Sequence, residues 1–98
     1  MIYVVATIEL KSGSVDAIRA AAAACRAETL KEDGCIAYEM FSSLDNPDKL
    51  VVVEKWATRE ALTAHSKQPH LKAWREASAP FAASRKIEIV HPEKVEEF

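Results

Sequence analysis

Between Glu32 and Leu71 the chain gathers most of its chemically capable side chains. Glu-Asp-Gly-Cys-Ile-Ala-Tyr-Glu runs from 32 to 39 and Val-Val-Val-Glu-Lys-Trp from 51 to 56, and Leu62, His65, Pro69 and His70 follow at short intervals. Polar groups set on a small apolar scaffold have the composition of a ligand pocket. His65 is the first candidate for catalysis, because imidazole titrates near neutrality and can take a proton from an acidic hydroxyl. Its alternative is a hydrogen-bonded structural histidine. His70 follows Pro69 and precedes Trp74 by one helical turn. There it could stack on that indole or hold an anion at a helix start. Glu54 shares a strand face with Leu50, Val52 and Trp56, and a carboxylate in that company is costly unless paired. It could orient an imidazole, bind a substrate hydroxyl, act as a base, or pair with a cation at the strand end. Trp56 is either core or a platform for an aromatic ligand. Tyr38 and Glu39 fall on opposite faces of one strand, so only one of them looks into a pocket under the helices. Strict alternation groups Tyr38 with Ile36 and Met40, and Glu39 with Cys35, Ala37 and Phe41.

These side chains need elements to carry them. Met1 to Leu10 is rich in β-branched residues and reads as a strand, with Ile2, Val4, Ala6 and Ile8 on one face and Tyr3, Val5, Thr7 and Glu9 on the other. Lys-Ser-Gly-Ser (11–14) is a turn, and Ser14 is placed to cap the alanine-rich helix that follows, with Asp16 in its first turn. Val15, Ile18, Ala22, Cys25 and Thr29 form the helix's inner stripe, and Asp33-Gly34 ends it. Strands over 35–41 and 50–56 flank Asp45-Asn46-Pro47-Asp48, a turn signal, and are close enough to pair as an antiparallel hairpin. Thr58 caps a short helix. Pro69 opens another, with Leu71, Trp74, Ser78 and Phe81 facing inward and Pro80 near its end. Lys86 to Val90 is a fourth strand, and the charged residues 91–98 are a tail or dimer arm. The order is β-α-β-β-α-β with the second helical region split in two, which is an α+β, ferredoxin-like arrangement with a four-stranded antiparallel sheet. One sheet face is left partly apolar by Val5, Thr7, alternate residues of the hairpin, and Ile87 and Ile89 or their neighbours. A homodimer formed through that open face would bury it.

Composition sets limits on function. Ninety-eight residues make a single domain over 1–98, and 49% apolar residues suffice for a core. Much of that fraction is alanine, so a second subunit is expected to complete the core. A net charge of −2 with scattered Lys and Arg gives no field for nucleic acid. No segment approaches the roughly 18 apolar residues of a membrane span. The start reads as a strand rather than a basic leader, and two cysteines ten apart make neither a disulfide scaffold nor a CxxC, so a cytoplasmic location with reduced thiols is expected. With only Gly13 and Gly34 there is no phosphate-cradling glycine loop or dinucleotide fingerprint, and no Gly-x-Ser-x-Gly elbow appears. His65 and His70 do not have the i, i+4 spacing of a helical metal site, so no metal is expected.

In their order and spacing these segments resemble the antibiotic biosynthesis monooxygenase family, whose members include quinol monooxygenases. The likeness spans nearly the whole chain. It rests on the first strand, Glu-Asp-Gly-Cys-Ile-Ala-Tyr-Glu, Asp45-x-Pro47, Val53-Glu-Lys-Trp56, and Leu62-x-x-His65 followed by Pro69-His70. The resemblance implies a dimeric α+β barrel and, in the quinol-oxidising members, no metal or flavin cofactor. It implies a small aromatic substrate and dioxygen, with the deprotonated quinol as reductant. On this reading His65 is the base or proton relay and Glu54 orients it. Tyr38 or Trp56 holds the ring, and His70 and Trp74 are further substrate contacts in a pocket between sheet and helices. A haem-degrading branch of the family relies on a first-strand asparagine and a last-helix histidine. Here Thr7 and Arg75 stand in those places, which speaks against haem. Two other readings remain at this level. One is an isomerase of a small phosphorylated dione, with Lys67, His70 and Lys72 near a helix start. The other is a non-catalytic dimeric module binding a small aromatic.

Overall fold

Alternation in the first strand sets the architecture. The computed structural model describes residues 1–98, and β1 (Ile2–Leu10) buries Ile2, Val4, Ala6, Ile8 and Leu10 while the residues between them stay partly open. α1 (Val15–Thr29), β2 (Cys35–Ser42), β3 (Lys49–Trp56), α2 (Arg59–His65), α3 (Pro69–Ser78) and β4 (Ala82–Val90) follow, with a 3-10 turn at Ala79–Phe81 before the last strand. The four strands form one antiparallel sheet in the order β2-β3-β1-β4. This is the ferredoxin-like topology, with the helices on one face. The core lies between them, where Ile18 and Cys25 of α1, Leu62 of α2 and Leu71 and Trp74 of α3 pack on β1 and on Leu50, Val52 and Trp56 of β3. No helix is long and apolar enough to cross a membrane.

Two local expectations need correction, and the register decides a third point between its two alternatives. Ser14 precedes α1 but makes no capping bond through its side chain. Its backbone is already near-helical (φ −88°, ψ −5°) rather than in the extended region a capping residue normally adopts. β4 begins at Ala82, four residues before Lys86, because Leu10, Glu9 and Ile8 of β1 supply pairing partners to Ala82, Ser84 and Arg85 regardless of their weak strand propensity. Ile87 and Ile89 do not lie on the open face. They pair with Ala6 and Val4, so they point to the helix side, where they remain 49% and 42% exposed because no helix covers this edge strand. Their neighbours Lys86, Glu88 and Val90 join Tyr3, Val5, Thr7, Val51, Val53 and Phe41 on the free face.

Pairing in β2 is irregular between Cys35 and Ala37. The extra residue, Ile36, is half exposed, and Cys35 changes side to join Tyr38 above Trp56 and Glu54. A bulge shifts alternation in this way, so Tyr38, not Glu39, faces the helices.

Gly34 makes the turn into β2 with φ +83°. A Cβ there would lie 2.6 Å from the Ala61 Cβ of α2. The bare glycine therefore lets α2 sit directly against this turn. Gly34→Ala combines the left-handed penalty of about 1–2 kcal/mol with a clash against a rigid methyl. We expect a urea midpoint clearly lower than wild type, and an unchanged midpoint would contradict the close approach.

Candidate functional site

α2 is a short helix capped by Thr58, whose hydroxyl accepts from the Ala61 N–H at 3.1 Å. Its buried positions are Leu62 and His65, one turn apart. His65 is thereby carried under the helices against β3. Its ring centroid lies 4.7 Å from that of Trp56 and meets Tyr38 edge-on at 5.8 Å.

Both ring nitrogens face carboxylates. Nδ1 is 2.6 Å from Glu32 Oε2, and Nε2 is 4.0 Å from Glu54 Oε1. The same Glu32 oxygen accepts from His70 Nε2 at 2.8 Å. Glu32 sits in the segment between α1 and β2, so one carboxylate joins that segment to α2 and α3. With the hydrogen of His65 on Nδ1 and given to Glu32, Nε2 keeps its lone pair on the side of Glu54. A carboxylate that fixes a histidine tautomer in this way is the geometry of an activated base. The family resemblance implies that Glu54 orients the imidazole. By distance, Glu32 is the carboxylate bonded to the ring, and Glu54 stands beside its other nitrogen.

Glu54 is almost fully buried, and its Oε1 accepts from Trp56 Nε1 at 2.9 Å. Burial pushes its carboxyl above the ordinary value, against the opposing pull of the Trp56 hydrogen bond and the His65 ring. Burial also pushes the Tyr38 phenol far above its ordinary range; its oxygen lies 3.8 Å from Cys25 Sγ. Tyr38 therefore stays neutral where it lines the site.

A cavity of about 200 Å³ opens beside these groups. Val4, Ala6, Ile8 and Val52 form its floor, and Leu62, Leu71 and Trp74 its helical side. His65, Glu54 and Tyr38 lie at one end, and Arg75, Arg85, Ile87 and Ile89 also line it. Its volume is below the several hundred Å³ typical of drug-sized ligands, which suits one or two rings. Of the residues singled out from the sequence, His65, Glu54, Tyr38 and Trp74 line the cavity. Trp56 is wholly buried behind Glu54 and His65, and His70 is turned to Glu32, so neither forms its wall. With a carboxylate on its ring, His70 is also a poor partner for a phosphate beside Lys67 and Lys72.

Glu32, His65 and His70 have their three donor atoms within 4.8 Å of one another. Two imidazoles and a carboxylate suit a divalent transition metal, and this is the place where these residues could hold one. The same atoms satisfy each other by hydrogen bonds, which a metal would have to replace.

Glu54 carries a pH prediction. A buried carboxyl whose value is raised on folding contributes stability below its unfolded value and loses it as pH rises through the folded one. At neutral pH, Glu54→Gln should therefore gain on wild type relative to pH 4, since the amide oxygen can still accept from Trp56. Urea unfolding of both proteins across pH 4 to 8 measures this, and a pH-independent difference would rule it out.

The model of the family described as antibiotic biosynthesis monooxygenase matches residues 1–77. A curated relative, "Probable quinol monooxygenase YgiN" of Escherichia coli K12, is 35% identical over 72 residues, with 64% of this chain and 68% of that protein covered. A conserved protein from Methanosarcina mazei Go1 superposes with a TM-score of 0.89 at 29% identity, covering 94% of this chain and 92% of that one. Rv0793 from Mycobacterium tuberculosis gives 0.87 at 26% identity, covering 98% of each.

Proposed function

Because the chain belongs to the antibiotic biosynthesis monooxygenase family, we propose that it oxidises a quinol or related polyphenol with dioxygen. The observation that carries this reading is His65, held at Nδ1 by Glu32 with Nε2 beside Glu54 at an apolar cavity. The name of the relative from Escherichia coli supports quinol as the substrate class.

His65 Nε2 takes the proton of a substrate hydroxyl, and the adjacent Glu54 carboxylate stabilises the imidazolium that results. The quinolate is electron-rich and is itself the reductant. One oxygen atom of dioxygen ends on a ring carbon, the other leaves as water, and the quinol leaves as a hydroxyquinone. The substrate supplies all the electrons, so no separate reductant enters the balance. Tyr38 and Trp74 flank the ring, while Trp56 acts indirectly by holding Glu54 and backing His65. Glu54 and His65 are themselves buried, which keeps their charges strongly coupled.

We place a second copy of the chain on the free sheet face. Val53 is 37%, Phe41 53% and Val90 42% exposed there, beside Val5 and Val51, and packing sheet on sheet would cover them. Sedimentation at micromolar concentration should give twice the chain mass of 10.8 kDa; a single-chain mass would sink this part.

Oxygen uptake by metal-free protein with a panel of reduced quinols tests the reaction. Uptake above autoxidation, with hydroxyquinone formed, is the expected result. Ligand-induced stabilisation without uptake would return the protein to a binding role.

A further inference from the structure

Three guanidinium groups line the cavity, those of Arg59, Arg75 and Arg85, and none has a carboxylate within ion-pair distance. Arg59 is exposed and bonds Thr63 of its own helix. Arg85 is different. It alternates with Ile87 and Ile89 on the helix side of β4, pairs with Ile8 on the cavity floor, and donates to Ser78 Oγ of α3 at 2.8 Å. Burial lowers its pKa, and the neighbouring Arg75 charge lowers it further. Arg85 is thus the half-buried cation of the cavity, with exposed Arg75 near it and no carboxylate paired with either, an arrangement that favours an anionic ligand group.

Register gives the polarity of the cavity. Glu54 pairs with Val4, which pairs on its other side with Ile89, so Glu54 and Ile89 are level across the sheet. Arg85 lies four residues along β4 from that row, roughly 13 Å of strand. The carboxylate and imidazole therefore occupy one end and the arginine backbone the other, with apolar side chains between. Arg59, Arg75 and Arg85 set against Glu54 leave the lining net positive, which favours an anionic ligand.

We infer that the substrate is an aromatic quinol carrying a carboxylate, gripped by Arg75 and Arg85 while its hydroxyl meets His65. This deepens the quinol-oxidation reading and rests on it for the reaction, not for the charge selection. The residues that carry it include Arg85, which lies beyond the stretch matched by the family model.

Calorimetric binding of turnover-independent probes tests it separately from oxygen uptake. 1-Hydroxy-2-naphthoate should bind at least tenfold more tightly than 1-naphthol, and this preference should shrink at least fivefold in Arg85→Met and in Arg75→Met. Arg75 has no hydrogen-bond partner to lose, so its variant guards against a folding defect in the other. Equal affinity for the two probes, no binding of either, or a preference that survives both substitutions would overturn the inference. Equal affinity would assign the arginines to the phenolate instead. Tighter binding of 1-naphthyl phosphate than of the carboxylate would overturn the carboxylate assignment in favour of a phosphorylated ligand. Failure of oxygen uptake with the charge preference intact would count against the reaction alone.

Discussion

Oxygen uptake is expected to fall by roughly 10²–10⁴-fold when His65 is replaced by glutamine, the range that a positioned general base contributes. Glutamine keeps a polar side chain of similar length but offers no lone pair that takes a proton near neutral pH. The fall should appear in kcat more than in KM, because Tyr38, Trp74 and the floor of β1 remain to bind the ring. His65→Ala should lose as much activity and more stability. Alanine removes the ring that packs at 4.7 Å on Trp56 and leaves Glu32 with one partner instead of two. A folded His65→Gln protein with wild-type turnover would end the assignment of the base, whatever the reaction.

Glu32 should be nearly as sensitive, although it is not part of the cavity wall. Glu32→Ala strands two imidazole N–H groups that are largely buried, at about 1–3 kcal/mol for each unsatisfied group. The urea midpoint should drop accordingly. Turnover should fall with little change in KM, because His65 loses the partner that fixes its tautomer and its angle. Glu32→Gln separates the two effects. Its amide oxygen can still accept from both rings, so stability should largely recover. Turnover should recover only in part, since a neutral amide stabilises an imidazolium less than a carboxylate does. If Glu32→Ala left turnover unchanged while stability fell, Glu32 would be purely structural.

Much of the scaffold could be read from the chain because it depends on short-range patterns. Alternation in β1 and β3, the inward stripes of α1 and α3, Pro69 at a helix start and Pro80 at its end each follow from spacing of a few residues. The site was less legible because its decisive contact is not local. Glu32 meets His65 and His70 across 33 and 38 residues, from a segment with no secondary structure, and nothing in its spacing marks it as their partner. Tyr38 could not be assigned a face from period two while a neighbouring bulge was unknown. The true side of Ile87 and Ile89 needed the register with β1. Arg85 escaped notice for the same reason, although the run Arg85-x-Ile87-x-Ile89 puts it on the same face as both isoleucines once that register is fixed. The position of Trp56 in the strand fits core or platform equally, and its total burial favours the first.

The brevity of α2 has a dynamic consequence. A helix this short does not hold together alone in water. It persists through the Thr58 cap, the seat that Gly34 leaves for Ala61, and the single bond from His65 to Glu32. The segment that delivers the imidazole is thus a single short helix held by tertiary contacts, including buried Leu62, rather than by its own length. Its amides should exchange with solvent as one cooperative unit. The same excursion that exposes them swings the ring away from the cavity and breaks its bond to Glu32. The base is then in place only while α2 is docked, so the docked fraction scales turnover whatever the speed of the proton transfer.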